Sequence, residues 1–280
     1  MSGISWILVL CFLLVGCTHS AKQPVAGGKK TVETVAPPVV EPAIETAIVV
    51  ETPKSPPKIG IILGAAGLKS YAYIGVLREL EKARVPVHAI VGLEFGALVG
   101  ALYSTRGEVN DLEWQMGKLR EEDLLKKAFF GYGSADRTIL LMTSFFERTL
   151  AEVSFASQRI PFFCASENRE RRTWHHEGSV AQALNKCMPF PPLFLPGDEG
   201  DVAAAFVVDE AAQILKKNGA DVVVFINGIQ AGPLIAGEGE QGTALFREKI
   251  IWRQLKNWYS MPHANVDEVL GLYLPDTHLR

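Results

Sequence analysis

The chain has 280 residues, a formal net charge of −3, and 48% hydrophobic and 21% charged residues. This length predicts one main domain with additional segments, and the hydrophobic content is sufficient for a packed core. The small negative charge argues against nucleic acid as a partner. The sequence has no internal repeat. Because it also has no zinc-type cysteine spacing and no Walker loop, we expect neither a metal nor a cofactor.

The N-terminus has the pattern of a targeting segment. Residues 4–14 are apolar, are too short for an ideal membrane span and end at small residues. The sequence Leu14-Val15-Gly16-Cys17 resembles the lipobox of bacterial lipoproteins, in which a peptidase cuts before the cysteine and the cysteine carries lipid. We therefore expect a signal peptide over residues 1–16 and a lipidated Cys17, with an uncleaved anchor or a cytosolic apolar tail as the alternatives.

This resemblance also implies a location. A lipidated Cys17 anchors the chain to a membrane, since several acyl chains on one cysteine give stable attachment. Thr18 follows it, where an aspartate would indicate retention at the inner membrane. We expect the bacterial outer membrane, with the chain facing the periplasm. The rest of residues 17–57 is rich in proline and predicts a flexible tether, although its valine and isoleucine runs also fit short strands.

The next elements alternate between strands and helices. Residues 59–63 form an apolar run that ends at Gly64, and residues 72–83 place Ile74, Leu77 and Leu80 on one helical face. Residues 85–91 predict a second strand and residues 97–103 a second helix. This alternation predicts an α/β fold with a mostly parallel central sheet, in which ligands bind beyond the carboxyl ends of the strands.

A sharp turn between the second strand and the second helix carries the most informative residue. The segment Gly92-Leu93-Glu94-Phe95-Gly96 has the spacing of a nucleophile elbow, in which the central residue is a serine. Here Glu94 takes that position, so the frame of the elbow is present without its hydroxyl nucleophile.

Three blocks of the chain resemble patatin-like phospholipases. Residues 59–104 are similar to the family's first strand, glycine-rich oxyanion loop, helix, second strand and Gly-X-Ser-X-Gly-Ala-Leu elbow. The segment from Gly178 to Phe194 resembles the family's helix and following proline-rich turn. The segment from Asn218 to Val224 resembles its late Gly-Ala-Asp-X-Val strand. The resemblance implies a three-layer patatin-like domain over residues 58–280.

The resemblance also implies a lipid acyl hydrolase chemistry, with a serine–aspartate dyad and an oxyanion loop. The loop corresponds to Gly64-Ala65-Ala66-Gly67, with Lys69 in the family's basic position, where either an ion pair with Glu94 or a solvated side chain fits. An ionised Glu94 places negative charge where the oxyanion forms, unless burial raises its pKa.

The aspartate of the dyad is missing as well. Counting back from Gly219 in the family pattern leads to Ala203-Ala204-Ala205, and Asp201 is a weak substitute two residues earlier. These changes together predict a pseudoenzyme that binds a lipid, an acyl chain or a protein partner at the former cleft. An active acyl hydrolase that uses Glu94 and Asp201, or a structural envelope protein, are the alternatives.

Some other residues leave two interpretations. Cys164 and Cys187 fit either one disulfide or two buried thiols. The arginines at 169, 171 and 172 fit a solvated hairpin or a lipid-headgroup site. Adjacent histidines on a strand point to opposite faces, so His175 and His176 do not predict a joint metal site. Near the C-terminus, residues 246–258 predict an amphipathic helix with Ile250, Ile251, Leu255 and Trp258 on one stripe. This stripe fits core packing or, since Trp252 lies off it, a partner surface.

Overall fold

The computed structural model describes residues 55–120, 123, 140–191, 196, 200–230 and 243–273. The predicted signal peptide, Cys17 and the tether as far as residue 54 lie outside these residues. So does the predicted turn at Pro192-Leu193-Phe194. The expected domain boundaries and lipid anchor therefore stay predictions.

A mixed sheet forms the centre of the described residues. Its strands are β1 (Ile59–Leu63), β2 (Val87–Gly92), β3 (Phe162–Glu167), β4 (Arg172–His175), β5 (Val202–Ala203), β6 (Val222–Asn227) and β7 (Glu268–Gly271). The strand order is β4-β3-β2-β1-β6-β7, and β5 pairs with β3. Strands β3, β2, β1, β6 and β7 run parallel, whereas β4 and β5 are antiparallel to β3. The predicted α/β class with a mostly parallel sheet is confirmed.

The helices lie between the strands in the chain. They are α1 (Tyr73–Lys82), α2 (Phe95–Arg106), α3 (Val109–Met116), α4 (Leu140–Leu150), α5 (Val180–Cys187), α6 (Val208–Lys217) and α7 (Thr243–Tyr259). A 3₁₀ turn over Gly67–Ala72 precedes α1, and a shorter one spans Phe155–Ser157. Helix α1 buries Ile74 and Leu77 as predicted, because they share one face of the helix.

Helices cover both faces of the sheet. A Cβ atom on Gly60 would lie 3.1 Å from the Leu215 side chain, so α6 packs closely on this face of β1. Ile61 faces the opposite side because side chains alternate along a strand. Its register partner Ile90 lies against α2, where a Cβ atom on Gly100 would come within 3.1 Å of the Ile90 side chain. The arrangement is the three-layer fold that the resemblance implies.

Helix α7 buries a stripe that overlaps the predicted one. Ile251 and Trp258 pack partly buried against the core, as predicted. Trp252, Leu255 and Tyr259 are buried, whereas Ile250 is exposed. The spacings of three and four residues place the buried side chains on one helical face. Because residues 250–252 are three consecutive large apolar residues, the sequence is compatible with burial of more than one face of this helix. Tyr259, which decides between them, lies one residue beyond the predicted end of the helix.

A disulfide joins the sheet to α5. Cys164 on β3 and Cys187 at the end of α5 are bonded, and their Cα atoms are 6.1 Å apart. The structure therefore selects the bridge over two free thiols and fixes one end of α5 against β3.

Candidate active site

Glu94 occupies a strained turn between β2 and α2. Its backbone has φ 53° and ψ −125°, a conformation that residues with a side chain rarely adopt. Such strain costs about 1–3 kcal/mol and is typical of the central residue of a nucleophile elbow. The turn predicted from the sequence is formed, and it directs the Glu94 side chain towards the carboxyl end of the sheet.

The two glycines of the elbow are required by backbone packing. A Cβ atom on Gly92 would lie 2.4 Å from the Cα atom of Ala97. A Cβ atom on Gly96 would lie 2.5 Å from the carbonyl oxygen of Leu63 and 2.7 Å from that of Gly64. Because backbone atoms cannot rotate away as a side chain does, the elbow needs both glycines to fold, whatever its chemistry.

The carboxylate of Glu94 binds the glycine-rich loop. Its Oε2 atom accepts hydrogen bonds from the backbone N–H groups of Gly67 at 2.9 Å and Ala66 at 3.2 Å. These N–H groups begin the 3₁₀ turn and have no partner inside it. Gly67 itself has φ 54°, which favours glycine. Glu94 therefore fills the place at which the resemblance puts the oxyanion of a reacting ester.

Burial sets the protonation of this carboxyl group. Glu94 is fully buried, and burial raises its pKa from 4.5 to about 7, although hydrogen bonds from the N–H groups of Phe95, Gly67 and Ala66 oppose the rise. The Oε1 atom has no hydrogen-bond partner. The carboxyl group therefore titrates near neutral pH, where an ordinary glutamate is fully ionised.

An ion pair between Lys69 and Glu94, one of the two alternatives left by the sequence, is not among the contacts between the described residues. The hydrogen bonds that reach the Glu94 carboxylate come from backbone N–H groups, which supply the positive ends of dipoles in place of an ammonium group. Lys69 is half-buried within the 3₁₀ turn. The loop's own N–H groups therefore bind Oε2 of Glu94.

Two tyrosines complete the hydrogen bonding of the loop. The Tyr259 hydroxyl accepts a hydrogen bond from the N–H of Ala65 and donates one to the carbonyl of Ala205, both at 2.9 Å. The Tyr73 hydroxyl donates to the carbonyl of Gly64 at 2.9 Å. Burial raises the pKa of both phenols above the ordinary value, so their hydroxyl groups remain protonated donors.

The segment that should carry the dyad aspartate lies beside this loop. β2 pairs with residues 162–164 of β3, and β5 pairs with residues 166–167. Because β4 pairs with one edge of β3, β2 and β5 both lie along the other edge, one after the other. β5 therefore lies beyond the end of β2, where the elbow begins. Ala203, Ala204 and Ala205 are buried there. The position is therefore filled by methyl groups, and a tyrosine hydroxyl binds its backbone.

A comparison of sequences decides the family. A profile for the patatin-like phospholipase family matches residues 61–209, which include the loop, the elbow and the alanine segment. This span is more than half of the chain.

The chain belongs to the patatin-like phospholipase family.

Curated relatives share this patatin-like region. The chain is 26% identical over 179 residues to lysophospholipase nte1 of Emericella nidulans. It is 28% identical over 181 residues to lysophospholipase NTE1 of Cryptococcus neoformans var. neoformans serotype D. Each match covers 60% of this chain but only 12% and 11% of the relatives. The similarity is therefore to one region of much longer proteins.

Asp201 lies apart from the elbow of this patatin-like domain. Its Oδ1 atom accepts a hydrogen bond from the Asn168 carboxamide at 3.1 Å, and its Oδ2 atom is 4.0 Å from the Lys186 ammonium. Among the described residues, no hydrogen bond joins it to Glu94. The structure does not bring the two carboxylates together as a dyad.

The histidines at the end of β4 face opposite ways, as predicted. His175 shares a hydrogen bond with Ser166, whereas the His176 ring lies 6.3 Å from the Phe163 ring. Within the described ranges, no group of His, Cys, Asp and Glu side chains is arranged to hold a metal ion. In the same ranges, no helix has the length and apolar content that crossing a bilayer requires.

Tyr259 and Tyr73 are the site residues that the sequence analysis missed. Tyr259 lies on the same face of α7 as Trp252 and Leu255, which indicates that its side chain is buried but not which groups its hydroxyl binds. Its two hydrogen-bond partners are 194 and 54 positions away in the chain, so the sequence carries no local signal of the contact.

Proposed function

We propose that this patatin-like protein does not hydrolyse lipids and works as a binding protein of the bacterial envelope, anchored through a lipid on Cys17. The observation that supports inactivity is the position of Glu94 on the N–H groups of Ala66 and Gly67. Acyl transfer needs such donors free for the developing oxyanion. A carboxylate already bound there excludes the oxyanion and, when ionised, repels it.

The burial of Glu94 bears on where a ligand binds. Because this side chain and Tyr259 are both buried, a lipid or acyl chain at the former cleft would need both to move. Binding at a neighbouring surface requires no such movement. A closed cleft also fits the alternative of a structural envelope protein, which would hold no ligand at all.

Hydrolysis assays test the proposal directly. The relatives named above are lysophospholipases, so a lysophospholipid and a short-chain p-nitrophenyl ester are the appropriate substrates. We expect the full-length protein in nonionic detergent to show no turnover above buffer, and Glu94→Gln to behave identically. Turnover in the wild-type protein that disappears in Glu94→Gln would show that Glu94 is catalytic and that the proposal is wrong.

A second candidate function is an acyl hydrolase that uses Glu94 as a general acid or base. A pKa of about 7 favours it, since proton transfer is most efficient when the pKa of the catalytic group is close to the working pH. Such an enzyme would show a pH–rate profile with an inflection near neutral pH. The wild-type and Glu94→Gln assays above, repeated across pH, separate the two functions.

The anchor is tested by its own variant. We expect the wild-type protein to partition with membranes after removal of residues 1–16 and attachment of lipid to Cys17. Cys17→Ala should leave the precursor unprocessed and without acyl groups, as intact-mass spectrometry would detect. If the variant is processed and acylated like the wild-type protein, Cys17 is not the lipidation site.

A further inference from the structure

A polar cavity of about 190 Å³ lies at the carboxyl end of β3. Each described side chain that lines it carries a polar group: Ser166, Asn168, Arg171, Thr173, His175, Lys186 and Asp201. Because Cys164 pairs with Gly92, the cavity begins one strand away from the elbow, at the edge of the sheet where α/β proteins bind ligands.

The walls of the cavity are held in place before any ligand arrives. Asn168 and Arg171 close the hairpin between β3 and β4, where Asn168 Oδ1 accepts hydrogen bonds from the N–H groups of Glu170 at 3.0 Å and Arg171 at 3.1 Å. The disulfide at Cys187 fixes the end of α5, next to Lys186. A preorganised wall lowers the ordering cost of binding.

The carboxylate in the cavity is already engaged. Asp201 accepts a hydrogen bond from Asn168 and lies 4.0 Å from the Lys186 ammonium. Arg171 adds a second cation, and within the described part of the chain no carboxylate pairs with its guanidinium. The neighbouring Arg172 differs, since it pairs with Glu167 and Glu210. Among the described side chains that line the cavity, Arg171 and Lys186 are cationic and Asp201 is the carboxylate.

Neutral donors line the inner side of the cavity. Ser166 is only 1% exposed, and its Oγ atom is 3.0 Å from Nε2 of His175. Burial, the main cause, lowers the pKa of His175, so the ring is neutral at neutral pH and retains one N–H donor. Thr173 adds a second hydroxyl. One proton of the Ser166–His175 pair is used in their mutual hydrogen bond. The cavity therefore presents one remaining donor of this pair, the Thr173 hydroxyl, the Arg171 guanidinium and the Lys186 ammonium.

We propose that this cavity binds a phosphate-type oxyanion, either free or as the phosphate of a lipid headgroup, with Arg171 as its principal charged ligand. A tetrahedral oxyanion has acceptors in every direction and so matches donors that converge from several sides. The guanidinium fork binds phosphate through two parallel hydrogen bonds. The site is separate from the elbow, so the proposal holds whether or not Glu94 is catalytic.

Calorimetric titration of the full-length protein with inorganic phosphate tests the proposal. We expect saturable binding, and we expect Arg171→Gln to weaken it at least about tenfold, since one charge-assisted bidentate contact is lost. Lys186→Gln should weaken it as well. Arg169→Gln is the matched control, because Arg169 is in the same hairpin and carries the same charge but does not line the cavity.

The outcomes are distinct. Weaker phosphate binding by Arg171→Gln, with unchanged phosphate affinity in Arg169→Gln, supports the site, provided that circular dichroism shows that both variants are folded. An equal loss of phosphate affinity in both variants would indicate only an effect of general surface charge. Absence of saturable binding by the wild-type protein at millimolar phosphate would exclude the site. Either result overturns the proposal.

A second ligand identifies the source of the phosphate. Glycerol 3-phosphate is the soluble part of a phospholipid headgroup, and the cavity is larger than one phosphate ion. Tighter binding of glycerol 3-phosphate than of inorganic phosphate, lost in Arg171→Gln, supports a lipid headgroup. Equal or weaker binding supports free phosphate as the ligand of the same site.

Discussion

The carboxylate of Glu94 accepts a hydrogen bond of 2.9 Å from the backbone N–H of Gly67. This contact joins the turn that holds the nucleophile in patatin-like enzymes to the loop that holds the oxyanion. The protein therefore uses one part of the inherited site to close another. The consequences for stability can be measured without knowing the ligand.

The stability of the protein should depend on the protonation of Glu94. Its pKa rises from 4.5 to about 7 on folding, so its contribution is fully present below pH 4.5 and is lost as the pH rises through 7. We expect the free energy of unfolding of the wild-type protein to fall by about 3 kcal/mol relative to Glu94→Gln across this window. Urea denaturation of both proteins at several pH values gives the difference, and parallel curves would contradict a buried carboxyl group.

The hydroxyl of Tyr259 should stabilise the closed site. Tyr259→Phe keeps the ring but leaves the N–H of Ala65 and the carbonyl of Ala205 without a partner, at a cost of about 1–3 kcal/mol for each buried group. Tyr273→Phe is the matched control, since Tyr273 is 75% exposed and should change stability by less than about 0.5 kcal/mol. Thermal denaturation compares them, and equal midpoints would show that the hydroxyl contributes nothing.

Two glycine substitutions should have opposite effects. Gly96→Ala places a Cβ atom 2.5 Å from the Leu63 carbonyl, so the elbow must shift and stability should fall by more than about 3 kcal/mol. Gly75→Ala places its Cβ atom in open space within α1, where alanine favours a helix by about 1 kcal/mol. Chemical denaturation measures both, and a Gly96→Ala protein as stable as wild type would mean that the elbow is not tightly packed.

Reduction of the disulfide should destabilise the domain. The bonded cysteines are 23 positions apart, and closing a loop of this size restricts the unfolded chain by about 3 kcal/mol. A reducing agent should therefore lower the melting temperature of the wild-type protein. The double variant Cys164→Ala/Cys187→Ala should not respond to the reductant, and an equal response of both proteins would indicate an effect unrelated to the bridge.

The fold was predictable because its signals are local. Apolar runs predict strands at 59–63 and 85–91, and the structure has them at 59–63 and 87–92. The spacing of Ile74 and Leu77 likewise predicts the buried face of α1. The glycines on either side of Glu94 indicate the elbow because few other residues allow so sharp a turn between a strand and a helix. These features depend on neighbours within a few residues, which a single sequence shows.

The contacts inside the site were not predictable in the same way. Whether Glu94 pairs with Lys69 or with backbone N–H groups depends on where the loop aims its donors, and this is set by packing against Ile226 and Tyr259. The choice between Ile250 and Trp252 as the buried residue of α7 depends on another tertiary contact, since the Trp252 ring lies 5.3 Å from the Phe190 ring. Tertiary contacts determine both the partner of Glu94 and the buried face of α7. Hydrophobic periodicity alone is compatible with several arrangements.

The hydrogen bond between Ala65 and Tyr259 also has a consequence for biosynthesis. The two residues are separated by 194 positions, so the loop is made long before the hydroxyl that closes it. The N–H of Ala65 can bind the Tyr259 hydroxyl only after α7 has been made and has packed against the loop. A chain that stops before Tyr259 lacks the partner of this donor, so the loop and the end of α7 have to be produced in one chain for the site to close.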